Sequence, residues 1–119
     1  MKGLIIKSKW ADLILNRDKT IELRSSNTNI RGTIGIIKSG SKKVYGTVDI
    51  IDSIPLNENL YNDYRNKHKV DLDYKNIKYK HLYGWVLENA IKFDKPIPYN
   101  HKQGCVIWVN FEGEEFENL

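Results

Sequence analysis

Hydrophobic positions in this chain fall into short β-branched runs and alternations, separated by polar turns. Leu4-Ile5-Ile6 is the first run and predicts a buried strand. Ser8 follows as an N-cap, and Trp10, Leu13 and Ile14 recur at i, i+3 and i+4, which predicts a helix of two to three turns. That helix should stop around Asn16-Arg17-Asp18, because asparagine tolerates left-handed geometry. From Lys19 to Arg24 the pattern alternates, with Ile21 and Leu23 on one side and Thr20, Glu22 and Arg24 on the other, so a strand sets three polar side chains in one row. Further strands are expected over Thr33–Lys38 and Val44–Ile51, with Gly46 marking a bulge or a close approach of backbone. Leu60, Tyr64 and His68 share one helical face, predicting a helix over Leu60–Lys69. Tyr83–Ile91 reads as a strand, Pro96 and Pro98 enforce an extended crossing, and Gly104–Phe111 closes the series as the last strand.

About six closely spaced strands with few helices argue for an α+β fold: a small mixed β-barrel of five to six strands with two or three short helices. A chain of 119 residues suits one domain, here taken as residues 1–111 followed by an acidic tail over 112–119. No run reaches the ~18–20 apolar residues of a membrane span, and lysines interrupt the N-terminal apolar stretch before a signal-peptide core could form. The expected location is therefore the cytoplasm, with no membrane association. The single cysteine, Cys105, excludes an internal disulfide and a cysteine-built zinc cage, and an inert buried thiol is expected. His68, His81 and His101 show no ligand spacing, so neither a metal site nor any other cofactor is expected.

Charge adds a second layer. The formal net charge is +4, but Glu112, Glu114, Glu115 and Glu117 crowd the tail, leaving 19 basic against 11 acidic residues before it. Such an excess suits a solvated, lysine-rich surface and equally a face for phosphates, which release condensed counterions on binding. Lys38, with Ser39, Lys42 and Lys43, sits near a turn where it could grip phosphate. Trp10, Tyr83 and Trp85 are positioned to stack on a base or to fill the core. The leading chemical constellation is Lys19, Thr20, Glu22 and Arg24: two cations flanking a carboxylate can hold a phosphate or base edge, or form an ordinary ion pair on a strand.

Three stretches resemble the ASCH domain family of the PUA-like superfamily. KSKWADLILNRDKTIELR is similar to the family's opening strand, helix and G-x-K-T-x-E-x-R signature; RGTIGIIKSG with VYGTVDIIDS resembles its cleft strands; and HLYGWVLENAIKFDKPIPY with GCVIWVNF resembles its closing section. Arg17 occupies the place where the signature has glycine, so the helix exit should turn through Asn16 or Asp18 instead. The resemblance implies a PUA-like barrel and a cleft that binds RNA or a nucleotide, lined by the signature residues. It also admits a hydrolase: a ribonuclease, or an amidohydrolase acting on a modified nucleoside, with Lys19 and Glu22 as the acid–base groups. The amidohydrolase members carry threonine in place of Glu22 and use a later glutamate, for which only Glu58 or Glu88 is at hand, and this weakens that alternative. A third alternative is a protein-interaction module using the acidic tail and the tyrosine-rich segment between Asn57 and Lys80.

Overall fold

The computed structural model describes residues 1–111; the acidic segment 112–119 lies outside the described residues. The chain runs β1 (Lys2–Ile6), α1 (Ser8–Leu15), β2 (Ile21–Arg24), β3 (Gly32–Lys38), β4 (Lys43–Pro55), α2 (Glu58–Asp63), α3 (Arg65–His68), a 3₁₀ turn (Tyr74–Asn76), β5 (Tyr83–Pro98) and β6 (Trp108–Asn110). The strands form one six-stranded mixed sheet in the order β2-β5-β4-β3-β1-β6, curled into a half-barrel and accompanied by three short helices. Among the described residues only the β1–β3 pairing is parallel; β3–β4, β4–β5, β2–β5 and β1–β6 are antiparallel.

The main core lies on the concave face. Leu4 and Ile6 from β1, Ile34 and Ile36 from β3, Val48 and Ile50 from β4, and Trp85 and Leu87 from β5 pack beneath Ala11, Ile14 and Leu15 of α1. These are the inward positions of the alternation, because successive strand residues point to opposite faces. A smaller cluster of Leu56, Tyr61 and Leu82 lies under α2 and α3, with Leu23 of β2 packed against it. Gly46 behaves as its sequence context predicts. The strand register shifts between Val44 and Gly46, and a Cβ there would collide with the Ile91 carbonyl.

Several boundaries depart from the sequence pattern for identifiable reasons. Ser8 is the first residue of α1 rather than its cap; Lys7 holds that position and supplies no capping side chain. The helix expected over Leu60–Lys69 starts earlier and breaks at Tyr64. The Asn57 side chain accepts the Leu60 N–H at 2.9 Å and fixes the start, while the fully buried residues are Tyr61 and His68, seven apart. Leu60 and Tyr64 are only half-buried. β4 and β5 run on past Ile51 and Ile91, so Pro96 and Pro98 lie within β5, whose end pairs with Lys43 and Val44. The last strand shrinks to three residues. It is an edge strand pairing only with Lys2–Leu4, and the turn at Gly104 leaves Val106 75% exposed.

The helix exit takes a third route. Arg17 itself adopts the left-handed conformation, at φ +67°, while the Asp18 and Lys19 N–H groups both donate to the Leu13 carbonyl. A non-glycine residue there costs roughly 1–2 kcal/mol. The Arg17 Nε donates to the Ala90 carbonyl on β5 at 3.1 Å, a tie across the sheet that a glycine could not make and that offsets the strain.

Candidate functional site

The α1 exit delivers Lys19 into the interior just ahead of β2. Its side chain is 2% exposed, and its Nζ donates to the His68 carbonyl at 2.5 Å and lies 3.7 Å from Glu22 Oε1. Trp10, in the first turn of α1, covers the ammonium, with its ring centroid 4.6 Å from Nζ. On β2, Glu22 and Arg24 project to the same side. Arg24 places both Nε (3.1 Å) and Nη2 (2.8 Å) on the single oxygen Oε2 of Glu22. Its guanidinium lies 5.5 Å from the centre of the Trp85 ring, which is itself fixed by an Nε1–H bond to the Ser26 carbonyl and stacked on Trp108. The ion pair that is common on exposed strands is thus present, but in a place where Glu22 keeps only 5% of its surface in water.

The electrostatics follow from that burial. Desolvation lowers the Lys19 pKa from 10.5 to about 8; the Glu22 carboxylate opposes the shift and the Arg24 guanidinium adds to it. The unfolded chain therefore binds a proton between about pH 8 and 10.5 that the folded chain does not. The penalty for burying the charged amine is fully present below pH 8 and is relieved as pH rises through that window. Unfolding stability should accordingly increase between pH 8 and pH 10 by about 2 kcal/mol. Urea melts of the parent and of Lys19→Met across this range check it: the rise should be missing in the variant.

A cavity of about 870 Å³ opens beside this cluster. Trp10, Lys19, Glu22 and Arg24 form one wall, and Val70, Leu72 and Tyr79 from the segment after α3 form the other. Lys7 and Lys78 complete its charged lining, so Glu22 is the one carboxylate among the described residues that line it. Glu58 and Glu88 do not reach this cavity. Of the other residues the sequence singles out, Thr20 precedes β2 and borders two smaller hollows instead. Lys38 pairs with Asp12 at 2.6 Å and sits over the Tyr45 ring. Tyr83 packs against the core opposite Arg24, and Trp85 is buried beneath the guanidinium, so neither lines the cavity. Val70, Leu72, Lys78 and Tyr79 carry no pattern that points to a site. Only the density of tyrosine and lysine between residues 57 and 80 sets that stretch apart. Among the described residues, no group of three His, Cys, Asp or Glu is placed to hold a metal, and no helix is long and apolar enough to cross a membrane.

The sequence model of the ASCH domain matches residues 4–97, which run from within β1 through all but the last residue of β5 and include every member of the charged cluster. The chain belongs to the ASCH domain family. Among solved structures, the ASCH protein of Zymomonas mobilis superposes with a TM-score of 0.73 at 16% identity, covering 98% of this chain and 90% of that one. Two single-substitution variants of the same Zymomonas protein superpose with TM-scores of 0.73 and 0.70, also at 16% identity, covering 98% of this chain and 94% and 92% of theirs. At that identity the likeness establishes the shared fold alone. No curated protein sequence matches the chain. In the glycine position of the family signature this ASCH domain carries the strained, tethered Arg17, and the turn still brings Lys19 to Glu22.

Proposed function

We propose that this ASCH domain is an RNA- or nucleotide-binding module whose ligand enters the cavity beside β2. The observation that carries the reading is the buried Lys19–Glu22–Arg24 cluster opening onto a hollow whose remaining charged lining, Lys7 and Lys78, is basic. With Lys19 protonated, that lining carries four positive charges against one negative, a cationic cleft suited to phosphate. Tyr79, half exposed, offers an open aromatic face for an unstacked base, and single-stranded bases are what proteins chiefly read in RNA. Both hydrogen bonds from Arg24 to Glu22 fall on Oε2, while Oε1 faces the Lys19 ammonium at 3.7 Å, so Oε1 is the oxygen with room to accept a base N–H. The family's general association with nucleic acids supports the same reading.

Titration with short single-stranded RNA tests it. Affinity should fall steeply with salt, weaken as pH rises through about 8 and the Lys19 charge is lost, and drop at least about tenfold in Arg24→Ala. Binding that ignores salt, or that survives Arg24→Ala intact, contradicts the reading. A specific observation also favours a second reading, hydrolysis of RNA or of a modified nucleoside: an amine held near pH 8 beside a carboxylate is in the working range of a general base. Cleavage products accumulating during the same titration, and absent with Lys19→Ala, would assign turnover.

A further inference from the structure

We infer that His68 is a positioning residue of this site: its buried imidazole, wedged between the Tyr61 carbonyl and the Val70 amide, sets the main-chain carbonyl that holds Lys19. The inference rests on reading the cavity as a ligand site, although the arrangement itself exists without any ligand. His68 is fully buried, at 0% exposure, and stacks on the Tyr61 ring with centroids 4.5 Å apart. Its Nε2 lies 2.8 Å from the Tyr61 carbonyl, which can only accept, so Nε2 carries the proton. Its Nδ1 receives the Val70 N–H at 3.0 Å, so Nδ1 is bare. Geometry alone therefore fixes the neutral ring in one tautomer.

Both sides of the cavity hang on this ring. The His68 carbonyl accepts the Lys19 ammonium, while Val70 and Leu72, which follow the left-handed turn at Lys69, build the opposite wall. Tyr61 secures that wall a second time, its hydroxyl donating to the Leu72 carbonyl at 2.5 Å, and the Arg65 Nη1 donates to the same carbonyl at 3.1 Å. A proton arriving at Nδ1 would set two N–H groups against each other and expel the Val70 bond.

The surroundings discourage that proton. Burial pushes the His68 pKa below its ordinary 6.5; the bond to the Tyr61 carbonyl resists, and the Lys19 ammonium and Arg65 guanidinium push it down further. Those are the groups that face the ring: Tyr61 from α2, Arg65 from its own helix, Lys19 from the segment before β2, with Tyr74 of the 3₁₀ turn on Tyr61 beyond it. Because the unfolded histidine takes its proton first, the latch is intact above pH 6.5 and loses stability as pH falls below it. RNA affinity should then have an acid limb set by His68 and an alkaline limb set by Lys19.

Side-chain NMR of the imidazole and of Lys19, read beside binding of a short fluorescent oligouridylate, tests the inference. The imidazole should show the Nε2–H tautomer and remain neutral well below its ordinary pKa. His68→Phe keeps the ring and removes both hydrogen bonds. In the folded variant the Lys19 pKa should rise from about 8 by about one unit or more as its burial is relieved. An unshifted or lowered Lys19 pKa there overturns the inference, whether or not RNA binds, so this arm stands apart from the proposed function. His68→Gln decides the matter should the phenylalanine variant fail to fold. Its amide can repeat both hydrogen bonds without titrating, so Lys19 should stay near about 8 and the acid limb of binding should vanish. An acid limb unchanged in His68→Gln, or an imidazole found protonated near neutral pH, overturns it too.

Discussion

Glu22→Gln should destabilise the fold by about 3 kcal/mol, and adding Lys19→Met should recover more than half of that loss. The reasoning turns on what is left behind. Glu22 is the single carboxylate between Lys19, whose ammonium is almost wholly out of water, and Arg24, whose side chain keeps 20% of its surface exposed. Neutralising it strands two cations in one buried place, and removing one partner of a buried pair typically costs 3–5 kcal/mol. The lower end applies because Arg24 reaches solvent. Replacing Lys19 by a methionine of similar length removes the worse-placed charge, leaving a guanidinium facing a neutral amide. Urea midpoints for the parent, both single variants and the double variant at pH 7 close the cycle. A cost below 1 kcal/mol for Glu22→Gln, or simple additivity of the two changes, would show a solvated surface pair, whose ordinary value is 0–1 kcal/mol.

Much of this arrangement is legible in the sequence because it depends on local periodicity. The alternation Ile21-Glu22-Leu23-Arg24 puts Glu22 and Arg24 on one face of β2 and turns Leu23 toward the Tyr61 cluster. The spacing of Trp10, Leu13 and Ile14 gives α1, and the isolated Gly46 gives the close approach in β4. What escapes is set by distant contacts. Lys19 reads as a strand residue, yet it precedes β2, and its burial requires a carbonyl 49 residues away. The far wall of the cavity, Val70 to Tyr79, is mostly irregular chain whose course is dictated by side-chain ties such as Tyr61 and Arg65 to the Leu72 carbonyl, and no periodicity announces these. Lys38 is absent from the cavity lining, and its ammonium pairs with Asp12 on α1, a contact between elements that composition cannot reveal.

Gly46→Ala should cost about 3 kcal/mol and lower the thermal midpoint by on the order of 10 °C, a change calorimetry reads directly. A Cβ at this position meets the Ile91 carbonyl oxygen, which belongs to the paired strand and cannot rotate away as a side chain can. It also meets Leu15 Cδ2 at 2.7 Å and Lys92 Cα at 3.1 Å. Two of these three obstacles are backbone, so relief demands moving β5 away from β4 where the register already shifts. The third obstacle links the substitution to the site. Leu15 is the last residue of α1, and displacing it shifts the helix that carries Trp10 and the turn that hands the chain to Lys19. Weaker RNA binding should therefore accompany the lost stability even at temperatures where the variant is fully folded. Asn29→Ala is the control: it is an exposed loop residue that borders neither this cavity nor the two smaller hollows, and it should change neither measurement appreciably. A Gly46→Ala protein as stable as its parent would mean that β4 and β5 stand farther apart than this packing allows, and the support beneath α1 would have to be sought elsewhere.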